Sequence, residues 1–298
     1  MPSFGSLIDD VISTLYGQVD QPTVGTLEQP IGATDTTVLI DFGDQPGASR
    51  PNGLIEIDRE LLIVSRYDAS SGTATLTPWG RGQQGTTAAA HAAGAKVTVR
   101  PAYPRQKVGD VLNEVLRSSC PPLFAARDLA PIDTGTLIGL GYPLPDDTIR
   151  VLRVDETQTG FSEFVANRQV YRHWDVRNVA GQQLLEIPRD QWLETLQVTI
   201  AAMPGTLVND TDDFATVTGL TDSCSDLAKF GALARLVMGA ELARQRLSSV
   251  EANMRADKVP AGSGIQVSRY YQALYTQRLQ AEQDRLNQTY PIQLLERG

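Results

Sequence analysis

The spacing of apolar residues switches back and forth along this chain between a helical period and a strand period, and that alternation constrains the fold more than any other feature. After Ser6, the residues Leu7, Ile8, Val11, Ile12, Leu15 and Tyr16 recur every three or four positions, with Asp9 and Asp10 near the start and Gly17 as a stop. This predicts a short amphipathic helix. From Thr23 to Val99 the signal becomes that of strands: Thr37 to Ile40, Leu54 to Ile57, Leu61 to Tyr67, Thr73 to Thr77 and Lys96 to Val99 are β-favouring segments separated by turn residues. Asp58-Arg59 is expected to turn the second of these back on the third. Helical spacing returns in Val108, Val111, Leu112, Val115 and Leu116, up to Pro121-Pro122. A second β region follows, with Ile149 to Val154, Glu163 to Trp174, Gln183 to Ile187 and Leu196 to Ala201 as its strands.

Beyond the acidic stretch Asn209 to Asp213 the pattern is helical again. Asp222 or Ser223 can cap a helix running from about Ser225 to Ser249, in which Gly231, Ala234, Gly239, Ala240 and Ala243 would admit a second helix closely. Apolar residues nearly encircle it, which predicts a place at the centre of a helical core. After the connector Pro260 to Gly264, Ser268 can cap a last helix with Tyr271, Leu274, Tyr275, Leu279 and Leu286 on one face, ended at Tyr290 by Pro291. The expected class is therefore α+β: a helical core of N-terminal, central and two long C-terminal helices, with two small antiparallel β domains, each a sandwich or barrel. The expected organisation is an N-terminal helix (1–20), a first β domain (21–103), a core helix (104–126), a second β domain (127–208), a C-terminal helical region (209–290) and a tail (291–298).

Composition narrows the function. At 298 residues with 41% hydrophobic and 20% charged residues, the chain reads as soluble and globular. A net charge of -9 argues against a general nucleic-acid binder, which concentrates Lys and Arg on one surface. The most apolar run, Leu227 to Leu242, is interrupted by Lys229, Arg235 and Glu241, so no membrane span is expected. Met1 leads into Pro2-Ser3-Phe4-Gly5 without a basic region, so no secretory signal is expected. Cys120 and Cys224, each in an apolar setting, read as buried free thiols of a chain assembled in a reducing cytoplasm.

No group of residues makes a persuasive catalytic site. Gly80-Arg81-Gly82-Gln83-Gln84-Gly85 satisfies G-x-G-x-x-G, but a dinucleotide site needs a helix opening there and an acidic residue about 20 positions on. Pro78-Trp79 instead precedes it, and the next strand ends in Arg100-Pro101, so a turn is expected and no cofactor. His91 and His173 stand at no metal-ligand spacing from either cysteine, so no metal is expected, and His91 reads as a turn or interface residue. The pairs Asp9-Asp10, Asp146-Asp147 and Asp212-Asp213 sit at helix starts or in turn-rich loops, where Asp bonds locally. Arg168, Arg172, His173 and Arg177, mixed with Tyr171 and Trp174, alternate along a strand-rich region, the aromatics toward a core. Tyr270, Tyr271, Tyr275 and Tyr290, at helical spacing, read as packing residues rather than a base-stacking platform.

The segment from Leu76 to Ala95, Leu-Thr-Pro-Trp-Gly-Arg-Gly-Gln-Gln-Gly-Thr-Thr-Ala-Ala-Ala-His-Ala-Ala-Gly-Ala, resembles a turn found in β domains of phage virion proteins. Ser6 to Tyr16, the helix from Val108 ending in Cys120-Pro121-Pro122-Leu123-Phe124, and the Tyr290-Pro291 exit extend the likeness to a layout. Together they resemble the head-to-tail adaptor proteins of long-tailed phages, especially those of actinobacterial hosts, loosely over most of the chain. That resemblance implies a non-enzymatic virion protein of the head-tail neck, forming a ring, commonly twelvefold, that docks on the portal protein, contacts the next neck or tail protein (the stopper) and lets genomic DNA pass without sequence-specific binding. A helical channel wall belongs to the same implication. So does a docking tail, here Tyr290, Pro291, Ile292, Leu294 and Leu295. The chain carries more β structure than the smallest adaptors of that kind. The alternatives are a tail component, such as a tail terminator or baseplate protein, and, behind both, a cell-wall hydrolase using Asp146 or Asp147.

Overall fold

The computed structural model describes residues 1–17, 22–43, 53–133, 141–157, 168–170, 174–187, 195–245 and 263–291. They form two compact units, one of Gly5–Leu112 with Ala232–Ser268, the other of Met1–Phe4, Asn113–Gly231 and Arg269–Gly298.

In the first unit, β1 (Val24–Leu27), β2 (Thr37–Asp41), β3 (Gly53–Ile57), β4 (Glu60–Asp68), β5 (Thr73–Leu76) and β6 (Lys96–Val99) are all antiparallel. Their order, β1-β2-β5-β4-β3-β6, closes into a barrel because β6 returns to β1, Val24 opposite Thr98. Closure leaves no open edge to pair with another chain. Alternation along the strands sends Leu27, Val38, Ile40, Ile55, Ile57, Leu62, Val64, Ala74, Leu76, Val97 and Val99 into one buried cluster. Asp58, held at φ 52°, and Arg59 form the turn between β3 and β4.

Glu56 falls between Ile55 and Ile57, so its side chain leaves the barrel on the opposite face, yet only 3% of it is exposed. There the backbone N–H of Arg105, first residue of α2 (Arg105–Ser118), donates to Glu56 Oε1 at 2.6 Å. Helix α1 (Phe4–Tyr16) buries Leu7, Ile8 and Val11. It is tied to the same region by an Asp9–Arg105 ion pair and by the Tyr16 hydroxyl, which accepts from the Ala102 N–H at 2.8 Å.

The second unit holds two sheets. One has the order β11 (Arg168–Val170), β10 (Thr148–Thr157), β14 (Thr195–Ala202), β7 (Ala125–Asp128), with β8 (Ile132–Asp133) also on β14. The other has the order β12 (Asp175–Val179), β13 (Gln182–Glu186), β9 (Tyr142–Pro143). Ile132, Leu144, Val151, Val154, Leu185, Leu196, Val198 and Ile200 pack as its buried cluster, with Trp174 against them. The short α3 (Phe214–Thr218) is capped by Asp213, whose carboxylate accepts the Thr216 N–H at 2.9 Å. The same corner holds the N-terminal residues: Phe4 N–H donates to the Asp212 carbonyl, and Phe214 N–H to that of Pro2. α4 (Cys224–Gln245) and α5 (Ser263–Thr289) follow. Within this unit α2, α4 and α5 meet at Gly231, where a Cβ would stand 2.5 Å from a Val115 methyl and 3.0 Å from the Tyr275 ring.

The expected helical core is corrected by these clusters. Both are built from strands and the loops that join them, and one belongs to a closed barrel. The helices expected to form a common core are divided instead: α4 gives residues through Gly231 to one unit and from Ala232 to the other, and α2 and α5 are split likewise. The physical reason is that α4 buries residues on both sides of the division, Leu227 and Ala228 in one unit and Ala232, Leu233, Ala234 and Leu236 in the other, so no single core owns it. The α+β class stands, but a single helical core that holds both long C-terminal helices is not what the described residues show.

Candidate functional site

The densest polar cluster among the described residues lies at one end of the barrel, where the β3–β4 turn meets the long loop from β5 to β6. Glu60, at the start of β4, has a side chain only 1% exposed. Its Oε1 accepts from Arg81 Nε at 2.7 Å and the Gly82 N–H at 2.9 Å; its Oε2 accepts from Arg81 Nη2 at 2.8 Å and the Ala89 N–H at 3.0 Å. His91 Nε2 faces the same Oε2 at 2.9 Å, and Nδ1 faces Asp58 Oδ2 at 2.7 Å. The remaining Arg81 donors go to the carbonyls of Gly32, Asp35 and Ala89.

Charge follows from these contacts. Burial works against an ionised Glu60, but the bonds from Arg81, Ala89, His91 and Gly82 outweigh it and hold the carboxyl down at about 2. Burial likewise opposes a charged imidazole at His91, yet Asp58 and Glu60 together carry its pKa above the ordinary value. Two carboxylates thus face one guanidinium and one imidazole, with the Glu60 and His91 side chains enclosed and Asp58 at the rim. Glu56 is the contrasting case: burial pushes it up to about 7 despite the Arg105 amide.

Chemically, this cluster can hold a loop. All five Arg81 donors are used, both His91 nitrogens face carboxylates, and Glu60 accepts from more groups than its four lone pairs favour. The Asp58 side chain alone reaches solvent, 54% exposed. Backbone bonds complete the fastening: Ile63 N–H to the Gly80 carbonyl at 2.8 Å, His91 N–H to Ile31 at 2.9 Å and Gly94 N–H to Leu27 at 2.7 Å. The glycines of the G-x-G-x-x-G match serve that path. A Cβ on Gly80 would stand 2.7 Å from the Ile63 carbonyl oxygen, and Gly82, at φ 60°, leads only into a three-residue 3-10 turn.

The acidic pairs are placed singly. Asp9 pairs with Arg105, Asp147 with Arg127 at 2.8 Å, Asp212 accepts from the Val208 and Asn209 N–H groups, and Asp213 caps α3. Cys120 and Cys224 are free thiols whose pKa values burial raises. Of the basic and aromatic set, Trp174 lies against the second unit's core and Arg177 pairs with Glu186 at 3.3 Å; Tyr171, Arg172 and His173 lie outside the described residues, as does the Arg168 side chain. Tyr271 stacks on Phe230, Tyr275 bonds Ser119 through its hydroxyl at 2.9 Å, and Tyr270 is exposed.

Of the expected docking tail, Tyr290 lies 6.4 Å from Phe124 between ring centroids and Pro291 is exposed; Ile292, Leu294 and Leu295 lie outside the described residues. Among the described residues no group of three or more His, Cys, Asp or Glu is placed to hold a metal ion, and no helix is long and apolar enough to cross a membrane. Reading the sequence missed Glu60 and the ion pairs it anchors. One signal was present: between Asp68 and Lys96 the only ionisable residues are Arg81 and His91, and charges in so bare a stretch need partners from elsewhere. No protein-family model matches the chain, and no curated protein matches it.

Proposed function

We propose that this chain is a structural virion protein of a tailed phage, an adaptor subunit that forms a ring between the head portal and the tail and leaves a conduit for DNA. The observation that carries the reading is the use made of the phage-like segment from Leu76 to Ala95. Its two ionisable side chains, Arg81 and His91, are both spent on fastening it to Glu60 and Asp58 of the barrel. A motif built that way supplies a rigid surface, which a ring subunit needs, and no reacting group. The partners of the reading are further copies of the chain, the portal, the stopper and transiting DNA, with Tyr290 to Leu295 as the docking segment and the virion neck, assembled in the host cytoplasm, as the location.

The closed barrel and the sheets of the second unit favour a second reading, a tail component such as a tail terminator or baseplate protein, in which the β domains do the assembling. Mass-resolved sizing of the purified protein, alone and with its portal, followed by particle imaging, separates the two. A ring seated on the portal is the adaptor result. A tube, or a monomer indifferent to the portal, sinks it. Deleting Ile292 to Gly298 should abolish stable attachment, and undiminished attachment would overturn the docking role of the tail.

A further inference from the structure

We propose that the loop between β5 and β6, with the exposed Trp79 near its start, is a contact surface between neighbouring copies of this chain; the proposal rests on the ring reading above and names the face by which subunits meet. Trp79 is 66% exposed. It occupies the third position of the turn Thr77-Pro78-Trp79-Gly80, closed by a Gly80 N–H to Thr77 carbonyl bond at 2.8 Å, and its own carbonyl accepts from the Gln83 side chain at 2.5 Å. Two residues further on, Arg81 ties the loop to Glu60, and His91 ties it to Glu60 and Asp58. An exposed Trp on a backbone turn fastened this way suits an interface anchor, because Trp, with Tyr and Arg, is enriched among the residues that dominate interfaces.

The charge pattern identifies the occupant. From Ala69 to Gly109 there is no Asp or Glu, in a chain with 35 of them and a net charge of -9. Two such chains repel, so a self-contact is favoured where acids are missing. The exposed residues here, Pro78, Gln84, Thr87, Ala88, Ala92 and Ala93, are uncharged and mostly small, and a second backbone can come close to them. Two acids border the loop. Asp58 is paired with His91, and Asp35 accepts the Gly32 N–H at 2.7 Å. If this acid-free face meets a different face of the next copy, the contact is head-to-tail, the kind that forms a ring when the rotation closes.

The test is the mass distribution of the purified full chain over a range of concentration, with and without the portal, for wild type, Trp79→Ala and Ala88→Asp. Both substituted side chains are exposed, so melting temperatures should match wild type. The expected result is a self-association weakened roughly tenfold or more by each change, the first by losing the anchor and the second by placing like charge in the contact. Oligomers undiminished in both variants would overturn this surface while leaving the ring. A wild-type chain that stays monomeric at every concentration and on the portal would overturn both.

Discussion

Glu60 and Glu56 are four residues apart and equally buried, and their charges have opposite consequences. Glu60 is ionised because donors surround it, so removing its carboxylate strands Arg81 and His91. Glu60→Ala should cost about 3–5 kcal/mol, read as a lower urea midpoint at unchanged slope. Glu56 has one amide donor and a pKa of about 7, so above that pH the fold carries a poorly compensated charge. Glu56→Gln should leave stability near wild type at pH 5 and raise it by about 2–3 kcal/mol at pH 8. Equal effects at both pH values would disprove this assignment. Neither role was legible in the sequence. Arg81 and His91 stand 21 and 31 positions from Glu60, and local pattern reports neighbours within a turn or along a strand, not partners gathered by a barrel.

At the scale of elements, more could be read. Turn residues and β-branched segments mark the stretches that became β2 to β6, and three- and four-residue spacing marks the stretches of α1, α2, α4 and α5. Closure of the barrel was hidden because it depends on β6 meeting β1, a pairing between segments about seventy residues apart, Thr98 with Val24. The role of α4 was misread because an all-round apolar pattern is the same whether a helix fills one core or serves two units. Its glycines now separate. Gly231→Val would push into Val115 and Tyr275 and should cost about 1–3 kcal/mol. Gly239→Ala meets no described atom within 4 Å and should gain up to about 1 kcal/mol from helix propensity. Thermal melting of the two variants would reveal the contrast; equal shifts in one direction would show that α4 does not pack this way.

For the molecule as a whole, these groups set a pH window on the barrel unit. Glu60, held below its ordinary 4.5, contributes stability that is present above that value and lost as pH falls toward about 2. His91, raised above 6.5, contributes stability that is complete below that value and lost as pH rises through its elevated pKa. Glu56, raised from 4.5 to about 7, adds a second loss as pH climbs between those values, because the folded chain there holds a proton that the unfolded chain has released. The second unit's buried Glu282 behaves like Glu60: despite the opposing effect of burial, Arg285 and Ser223 hold its pKa down, so it weakens only toward acid. Alkaline loss therefore falls on the unit that carries the Trp79 loop. Melting temperature should peak near about pH 4.5, where the Glu60 gain is complete and the Glu56 loss begins, and decline toward pH 8. Glu56→Gln should remove part of that decline, and His91→Gln should remove a further part while lowering the peak itself. In a Glu56→Gln background, a profile flat from pH 5 to 8 would show that the clamp is not held by a charged His91, and the loop would then owe its position to the Glu60–Arg81 pair and backbone bonds.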